Sequence, residues 1–469
     1  MFVKRFFEPS LAQASYLIGC VSAGEAIVID ANRDIQPYID TAAAEGLRIT
    51  QVTETHIHAD YVSGSRELAQ RTGATLALSD AGGADWKYQF PHDRNLRDGD
   101  RITVGNVTID VLHTPGHTPE HLTFLVTDGA VADRPIAAVT GDFVFVGDVG
   151  RPDLLERAAN ITGTMETSAR VLWKSLQAFA AREDWLQIWP GHGAGSACGK
   201  GISAIPSSTL GYERRFNWAF GIATEDQFVA RVLAGQPEPP KYFASMKKVN
   251  KEGPPILNGF DVPNELGAAA LPALLQRKAM VIDTRPAADY AAGHLRGTIN
   301  IPLNASFVTW AGWLIRQDEF YLIVDAATAG ARLGELARLL ALIRISGYVD
   351  AAAVSGDLTI AQVTVTQLAP RLSDVTVVDV RGASEWAEGH VPGALHIPLG
   401  YLADRAGEIP AGRPVVVHCQ AGGRSSIAAS VLERLGLANV SNLSGGITAW
   451  AGAGLPIEKE AHEARTSRA

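Results

Sequence analysis

Cysteine is scarce in this 469-residue chain, occurring only as Cys20, Cys198 and Cys419. Three thiols cannot all pair within one chain, so a disulfide framework is excluded and a reducing, cytoplasmic setting is expected. No window approaches ~18 uninterrupted apolar residues, which excludes a membrane-spanning helix. The first residues carry Lys4 and Arg5, but Glu8 and Pro9 interrupt the apolar run before a leader core forms, so no secretory signal is expected. Positive charge is in deficit: the net charge is −9 and no basic face is clustered. Phosphate neutralisation needs such a face, so nucleic acid is not an expected partner. What remains is small-molecule chemistry in a globular protein with real cores, since 46% of residues are apolar and 19% charged.

At roughly 150 residues per domain the length allows about three domains. From Phe2 to about Gly201, short β-rich runs ("AIVID", "TLALS", "VTIDVLH") alternate with helical stretches such as "VSGSRELAQRTG", which glycine ends. Residues Ser203 to Phe243 read as mainly helical. A proline- and glycine-rich passage between Gln236 and Phe260 reads as a boundary. Beyond it the chain repeats itself. "VIDTRPAADYAAGHLRGTINIPL" from Val281 aligns without gaps to "VVDVRGASEWAEGHVPGALHIPL" from Val377, an offset of 96 residues (377 minus 281). Asp283/Asp379, Arg285/Arg381, His294/His390 and Pro302/Pro398 are among the identities. In each copy a strand leads to a loop and a second apolar strand runs into a helix, the pattern of a mostly parallel sheet with helices on both faces. The expected domains are 1–255, 262–358 and 360–460, with a tail at 461–469.

Four segments of the first domain concentrate ligand-type residues: "THIHAD", "HTPGHTPEH", "TGDFVFVGDVGRPD" and "WPGHGAG". Each follows an apolar run, where a strand ends and a loop lets side chains converge on one ion. His56, His58 and Asp60 alternate and can face one side of an extended chain. Together the four segments predict a metal site.

This constellation resembles the metallo-β-lactamase superfold, an αββα sandwich, over roughly residues 1–255. Two branches of it are candidates. Glyoxalase II-like thioesterases, with two zinc ions, need a histidine directly after the Asp of the first motif, where this chain has Tyr61. The resemblance to persulfide dioxygenases instead implies one Fe(II) per chain, held by His56, His117 and Asp142. Two imidazoles and one carboxylate leave positions open for O2 and a persulfide sulfur. His58, Asp60 and His192 would then orient ligands or water, with His58 also open to a role as fourth ligand. Tyr61 either donates a hydrogen bond near the metal or packs. Arg151, in the "GRPD" that resembles the loop after the metal-binding Asp, either clamps a carboxylate of the thiol carrier or pairs with Asp153. Cys198 either handles sulfur at the site or is a small buried thiol. His113 is read as structural and Cys20 as core.

In the last domain "VVVHCQAGGRSS" sets Cys419 after a strand and before a helix. Gln420, Ala421, Gly422, Gly423 and Ser425 can turn their N–H groups inward, and Arg424 closes the ring to stabilise a thiolate or persulfide. The segment, with its flanking "GHVPGALHIPL" and "GGITAWAGAGLPI", resembles rhodanese sulfurtransferases. Protein phosphatases place five residues between Cys and Arg; here four intervene, a ring suited to a single sulfur. The other copy has no cysteine and resembles a degenerate rhodanese, with the nucleophile position at about Ala326. Together the resemblances imply a persulfide dioxygenase fused to tandem rhodanese domains. Its partners would be a low-molecular-weight persulfide of glutathione or coenzyme A type, O2, and sulfite or thiosulfate. A homo-oligomer is expected.

Overall fold

The computed structural model describes residues 1–154, 163–236, 238–260, 263–315, 319–339 and 343–459. The expected tail at 461–469 lies outside them. Two compact units divide the chain, Met1–Phe260 and Asp261–Ala469.

In the first unit, strands Phe2–Glu8, Gln13–Cys20, Glu25–Ile29, Arg48–Thr53, Thr75–Ser79 and Arg94–Leu96 (β1–β6) form one sheet in that order. Strands Arg101–Val104, Val107–His113, Leu122–Asp128, Ala137–Gly141, Gln187–Pro190 and Ser208–Thr209 (β7–β12) form the second, ordered β12-β11-β10-β9-β8-β7. Tyr16, Ile18, Ile27, Ile29, Ile109, Phe124 and Val126 interdigitate between the sheets as one buried cluster. Such alternating inward residues bury one face of each sheet and leave the other for helices. Helices Gln36–Ala44 and Ser65–Thr72 cover the first sheet through a core of Tyr38, Leu68 and Val52. Helices Met165–Phe179 and Glu225–Leu233 cover the second through Leu172, Leu176 and Phe228. The result is the αββα sandwich expected from the resemblance.

The passage between Gln236 and Phe260, read as a boundary from its prolines, ends where the two units divide and carries helix Tyr242–Glu252, whose Phe243, Met246 and Asn250 are buried. Prolines at 239, 240, 254 and 255 bracket that helix without entering it.

The second unit holds two parallel sheets of like order. Strands Val281–Asp283, Ile299–Asn300, Glu319–Val324 and Arg344–Asp350 (β13–β16) lie as β14-β13-β15-β16. Strands Ala361–Val363, Thr376–Asp379, Leu395–His396, Val415–His418 and Val440–Leu443 (β17–β21) lie as β17-β21-β20-β18-β19. Every pairing in both sheets is parallel. The gapless repeat therefore corresponds to a repeated fold. The copies share a core, since Ile282, Phe307 and Leu333 of one join Val378, Val417 and Ile427 of the other in a single buried cluster. Helix Gly423–Arg434 links them further. His294 Nε2 sits 3.0 Å from Glu433, Ser430 accepts the Asn300 N–H at 3.0 Å, and Arg434 donates to Gly297.

Candidate metal centre and sulfur loop

In the first unit the ligand-type residues leave from strand ends: Glu54–Gly64 after β4, Thr114–His121 between β8 and β9, Asp142 after β10 and His192 after β11. His56, His117 and Asp142 are buried and bring one ligand atom each within 4.8 Å of one another. Asp142 Oδ2 lies 3.5 Å from His117 Nε2 and 4.0 Å from His56 Nε2. The ring orientations follow from the neighbours. Thr55 Oγ1 donates to Asp30 at 2.9 Å and so accepts from His56 Nδ1 at 3.0 Å, while His117 Nδ1 donates to the Arg151 carbonyl at 3.0 Å. Each imidazole thus keeps its Nε2 lone pair for a cation.

The electrostatics agree. Burial pulls His56 and His117 below the usual histidine range, so both are neutral donors. Burial opposes ionisation of Asp142, but neighbouring histidines, His192 first and His58 among them, outweigh it and hold its carboxyl low. Neither Asp142 oxygen accepts an N–H or O–H bond among the described residues. A buried carboxylate left without such donors is costly unless a cation partners it, so this donor set fits a divalent metal.

His58 turns Nε2 to Asp30 at 3.0 Å, and its Nδ1 is unpartnered among the described residues. Burial lowers its basicity, but Asp30 overrides this and raises the pKa to about 9. Tyr61 packs tilted against His58 with ring centroids 4.5 Å apart and donates to the Asp30 carbonyl at 3.3 Å; burial pushes its phenol up. It therefore buttresses the site from behind His58.

Beside this set Asp60, His192 and Cys198, all buried, form a second group with ligand atoms within 4.8 Å of one another; Tyr61, where a thioesterase would have histidine, is not among them. His192 Nε2 lies 3.3 Å from Asp60 Oδ2 and 3.4 Å from Asp142 Oδ1, so Asp142 stands between the groups. The loop carrying Cys198 is held by Asp148, which accepts the Lys200 and Gly201 N–H groups at 2.9 and 2.7 Å. Burial, then the charges of Asp142 and Asp60, push the Cys198 thiol well up.

The carboxylate-clamp reading of Arg151 is corrected. The side chain is wholly buried, its Nε and Nη2 spent on Asp153 at 2.8 and 2.7 Å and its Nη1 on the Ala197 carbonyl. It positions His117 through its own carbonyl. His113 bonds to the Pro119 carbonyl at 2.8 Å, a structural role, and Cys20 lies in the core between the sheets.

Further residues organise the site, Asp30 and Asn250 from outside the four ligand-type segments and Glu120 and His121 from within one of them. Asp30, at the end of "AIVID" with a left-handed φ of 60°, accepts from Thr55 and faces His58. An acidic residue closing a wholly apolar strand was the available signal. Asn250, from helix Tyr242–Glu252, donates to the His58 and Tyr61 carbonyls at 2.8 and 2.7 Å. Glu120 accepts the Ile57 N–H at 2.8 Å, and His121 Nε2 accepts the Asp142 N–H at 3.1 Å.

In the second unit Cys419 is buried just after β20, its sulfur accepting the Gly422 N–H at 3.1 Å and the Ser425 hydroxyl at 3.5 Å. Helix Gly423–Arg434 starts at this point, so its N-terminus faces the sulfur. Among the described residues Arg424 makes no bond to the thiol; Glu385 grips its guanidinium with two bonds of 2.6 Å. Beneath the loop, Ile447 and Thr448 donate to the Cys419 and Gln420 carbonyls at 2.9 and 3.1 Å.

In the other copy the nucleophile position moves from the expected Ala326 to Val324. Asp283 pairs with Ile323 as Asp379 pairs with His418, so Val324 stands where Cys419 does. Strand β15 ends at Val324 and the next helix starts at Ala326, leaving only Asp325 where the active copy has Gln420–Gly422. The whole cradle is absent, not only its sulfur.

Compared with known families, residues 10–192 match the metallo-beta-lactamase superfamily, and residues 268–359 and 364–453 each match the rhodanese-like domain. The chain is 29% identical to the mitochondrial persulfide dioxygenase ETHE1 of Bos taurus over 34% of this chain and 58% of the relative. It is 30% identical to a hydroxyacylglutathione hydrolase of Cereibacter sphaeroides over 38% of this chain and 61% of the relative. The chain thus spans about three fifths of these relatives' own length. A sulfurtransferase of Allochromatium vinosum is 46% identical over 18% of this chain and 78% of its own. A solved Staphylococcus aureus structure titled metallo-beta-lactamase is 40% identical, with TM-score 0.66, over 74% of this chain and 98% of its own.

Proposed function

Since residues 10–192 belong to the metallo-β-lactamase superfamily and residues 268–359 and 364–453 to the rhodanese-like family, we propose that this chain oxidises low-molecular-weight persulfides with O2 and moves sulfur through Cys419. Its place is in sulfane-sulfur metabolism. The observation that carries the reading is a buried His56–His117–Asp142 donor set in one chain with an intact sulfur loop. The likeness to a persulfide dioxygenase supports it. His56, His117 and Asp142 would hold Fe(II), which would supply O2 activation toward sulfur.

The chain's own groups do the rest. Thr55, Asp30 and the Arg151 carbonyl keep the imidazoles aimed through Nε2. Tyr61 and Asn250 hold the "HIHADY" turn rigid, and rigidity keeps ligands at productive distances. At Cys419 the Gly422 N–H and the helix N-terminus stabilise sulfur in its anionic form. Sulfite, formed in the first domain, accepts the outer sulfur of a Cys419 persulfide to give thiosulfate; the reverse reaction restores the persulfide.

A second reading, a dinuclear zinc thioesterase with an appended sulfurtransferase, draws on the hydrolase likeness and on the Asp60–His192–Cys198 group beside Asp142. Anaerobic purification with metal quantification, followed by oxygen uptake on glutathione persulfide, separates the two. One iron per chain with oxygen consumption is expected. Two zinc ions without oxygen uptake would favour the thioesterase.

A further inference from the structure

The copy that lost its cysteine also lost the loop around it, and this leaves identifiable groups without their usual partners. In the active copy Arg381 Nη1 donates to Gln420 Oε1 at 3.4 Å, and Glu385 is gripped by Arg424. The repeat offset of 96 makes Arg285 and Asp289 their counterparts (381 minus 96 and 385 minus 96). Arg285 is held by Asp283 and the Gly293 carbonyl through Nε and Nη2, but among the described residues its Nη1 donates to nothing. Asp289 has no arginine partner among them, because the second residue of the following helix is Ala327 where the active copy has Arg424.

These groups line a cavity of about 1030 Å³ at the carboxyl ends of β13 and β15. In open parallel sheets that is the edge where ligands bind. The cavity does not stop at the degenerate copy: Cys419, Gln420 and Arg424 line it together with Arg285, Asp289 and Thr328. The vacated cradle of one copy therefore opens directly onto the thiol of the other, inside one unit with a shared core.

We propose that the degenerate copy is the carrier subsite of the sulfur-transfer reaction, binding a zwitterionic, amino-acid- or peptide-type thiol whose sulfur meets Cys419. The proposal rests on the sulfur-transfer reading of Cys419. The charge pattern selects the class of ligand. Arg285 offers a guanidinium edge to a carboxylate, and Asp289 with Asp325 offers carboxylates to an ammonium. One cation against two anions on that wall disfavours a polyphosphate carrier of coenzyme A type, which needs several cations. In the reaction the carrier thiolate attacks the outer sulfur of a Cys419 persulfide. A new S–S bond forms on the carrier, the Cys419 S–S bond breaks, and the electron pair returns to the Cys419 thiolate.

The test uses the full chain and two variants, T328W, which fills the recess, and D289K, which reverses its charge. Sulfur transfer from thiosulfate is measured to glutathione, to coenzyme A and to cyanide. The wild type is expected to use glutathione with at least tenfold higher kcat/KM than coenzyme A. Each variant is expected to lower the glutathione-to-cyanide ratio of kcat/KM at least tenfold, through KM. An unchanged ratio in both variants, or a wild type that prefers coenzyme A, would overturn the proposal. Calorimetric titration with S-methylglutathione, which cannot transfer sulfur, reads the subsite without the chemistry: T328W should bind one equivalent fewer per chain than wild type. Equal binding overturns the subsite. One equivalent fewer in a chain that transfers no sulfur supports the subsite and counts against the Cys419 reading.

Discussion

At the scale of single residues, the ligand set is defined as much by what holds the rings as by the rings. Asp30 accepts from Thr55 and faces His58, so it governs two imidazoles without being a ligand itself. Partners of this kind affect metal affinity about 10–100-fold. Asp30→Asn is therefore expected to weaken metal binding by that factor, read by competition with a fluorescent chelator, with little change in folded content. Cys419→Ser is expected to abolish cyanide-accepting and thiosulfate-forming activity while oxygen uptake on persulfide continues; loss of both would contradict a division of labour between the sites. His56, His117, Asp142 and Cys419 were visible in the sequence because each sits in a short motif whose spacing is set by local chain geometry. Asp30, Asn250 and the Arg424–Glu385 pair were not visible in those roles, because their partners are remote in sequence and no local pattern encodes a long-range contact.

At the scale of elements, both sites depend on loops pinned at close quarters. Helix Tyr242–Glu252 bonds to the metal loop through Asn250, which satisfies two carbonyls and the Ser63 N–H. Asn250→Ala leaves those buried groups unpaired and is expected to cost about 1–3 kcal/mol, measured by denaturant titration, together with part of the bound metal. Beneath the sulfur loop, Gly446 has φ +55° and a Cβ there would stand 2.3 Å from the Cys419 carbonyl oxygen. Gly446→Ala must displace that backbone, so sulfur transfer should fall at least tenfold while metal content stays unchanged. If transfer survived intact, the loop would be more yielding than its packing indicates. Element type was legible from apolar periodicity, as in "TLALS" and "VTIDVLH". The helix within the proline-rich passage was obscured because its breakers were read ahead of the apolar Phe243 and Met246 between them.

At the scale of the whole molecule, the two rhodanese-like copies are one folding unit. Ile282, Phe307, Val417 and Ile427 share a core, and separating the copies would expose it. The region from Asp261 onward is thus expected to unfold in a single cooperative transition, and residues 360–459 alone to aggregate; two resolved transitions within this region by calorimetry would refute this. Metal removal acts on the other unit. There Asp60 and Asp142 are buried close together, so chelation should lower its melting temperature and metal should restore it, by about 2.7 kcal/mol at a free concentration 100 times Kd.

From residue order alone came the histidine-rich strand ends, the duplicated parallel domain and the Cys419 loop, which rest on local spacing and on repetition along the chain; the sandwich came from the resemblance that those motifs carry. Folding then assigned the parts: Arg151 to an internal ion pair, Cys198 to a second ligand group, and the emptied cradle of the degenerate copy to the wall of the Cys419 cavity. These assignments depend on which distant segments pack together, and burial, hydrogen-bond satisfaction and strand register determine that only once the chain has closed on itself.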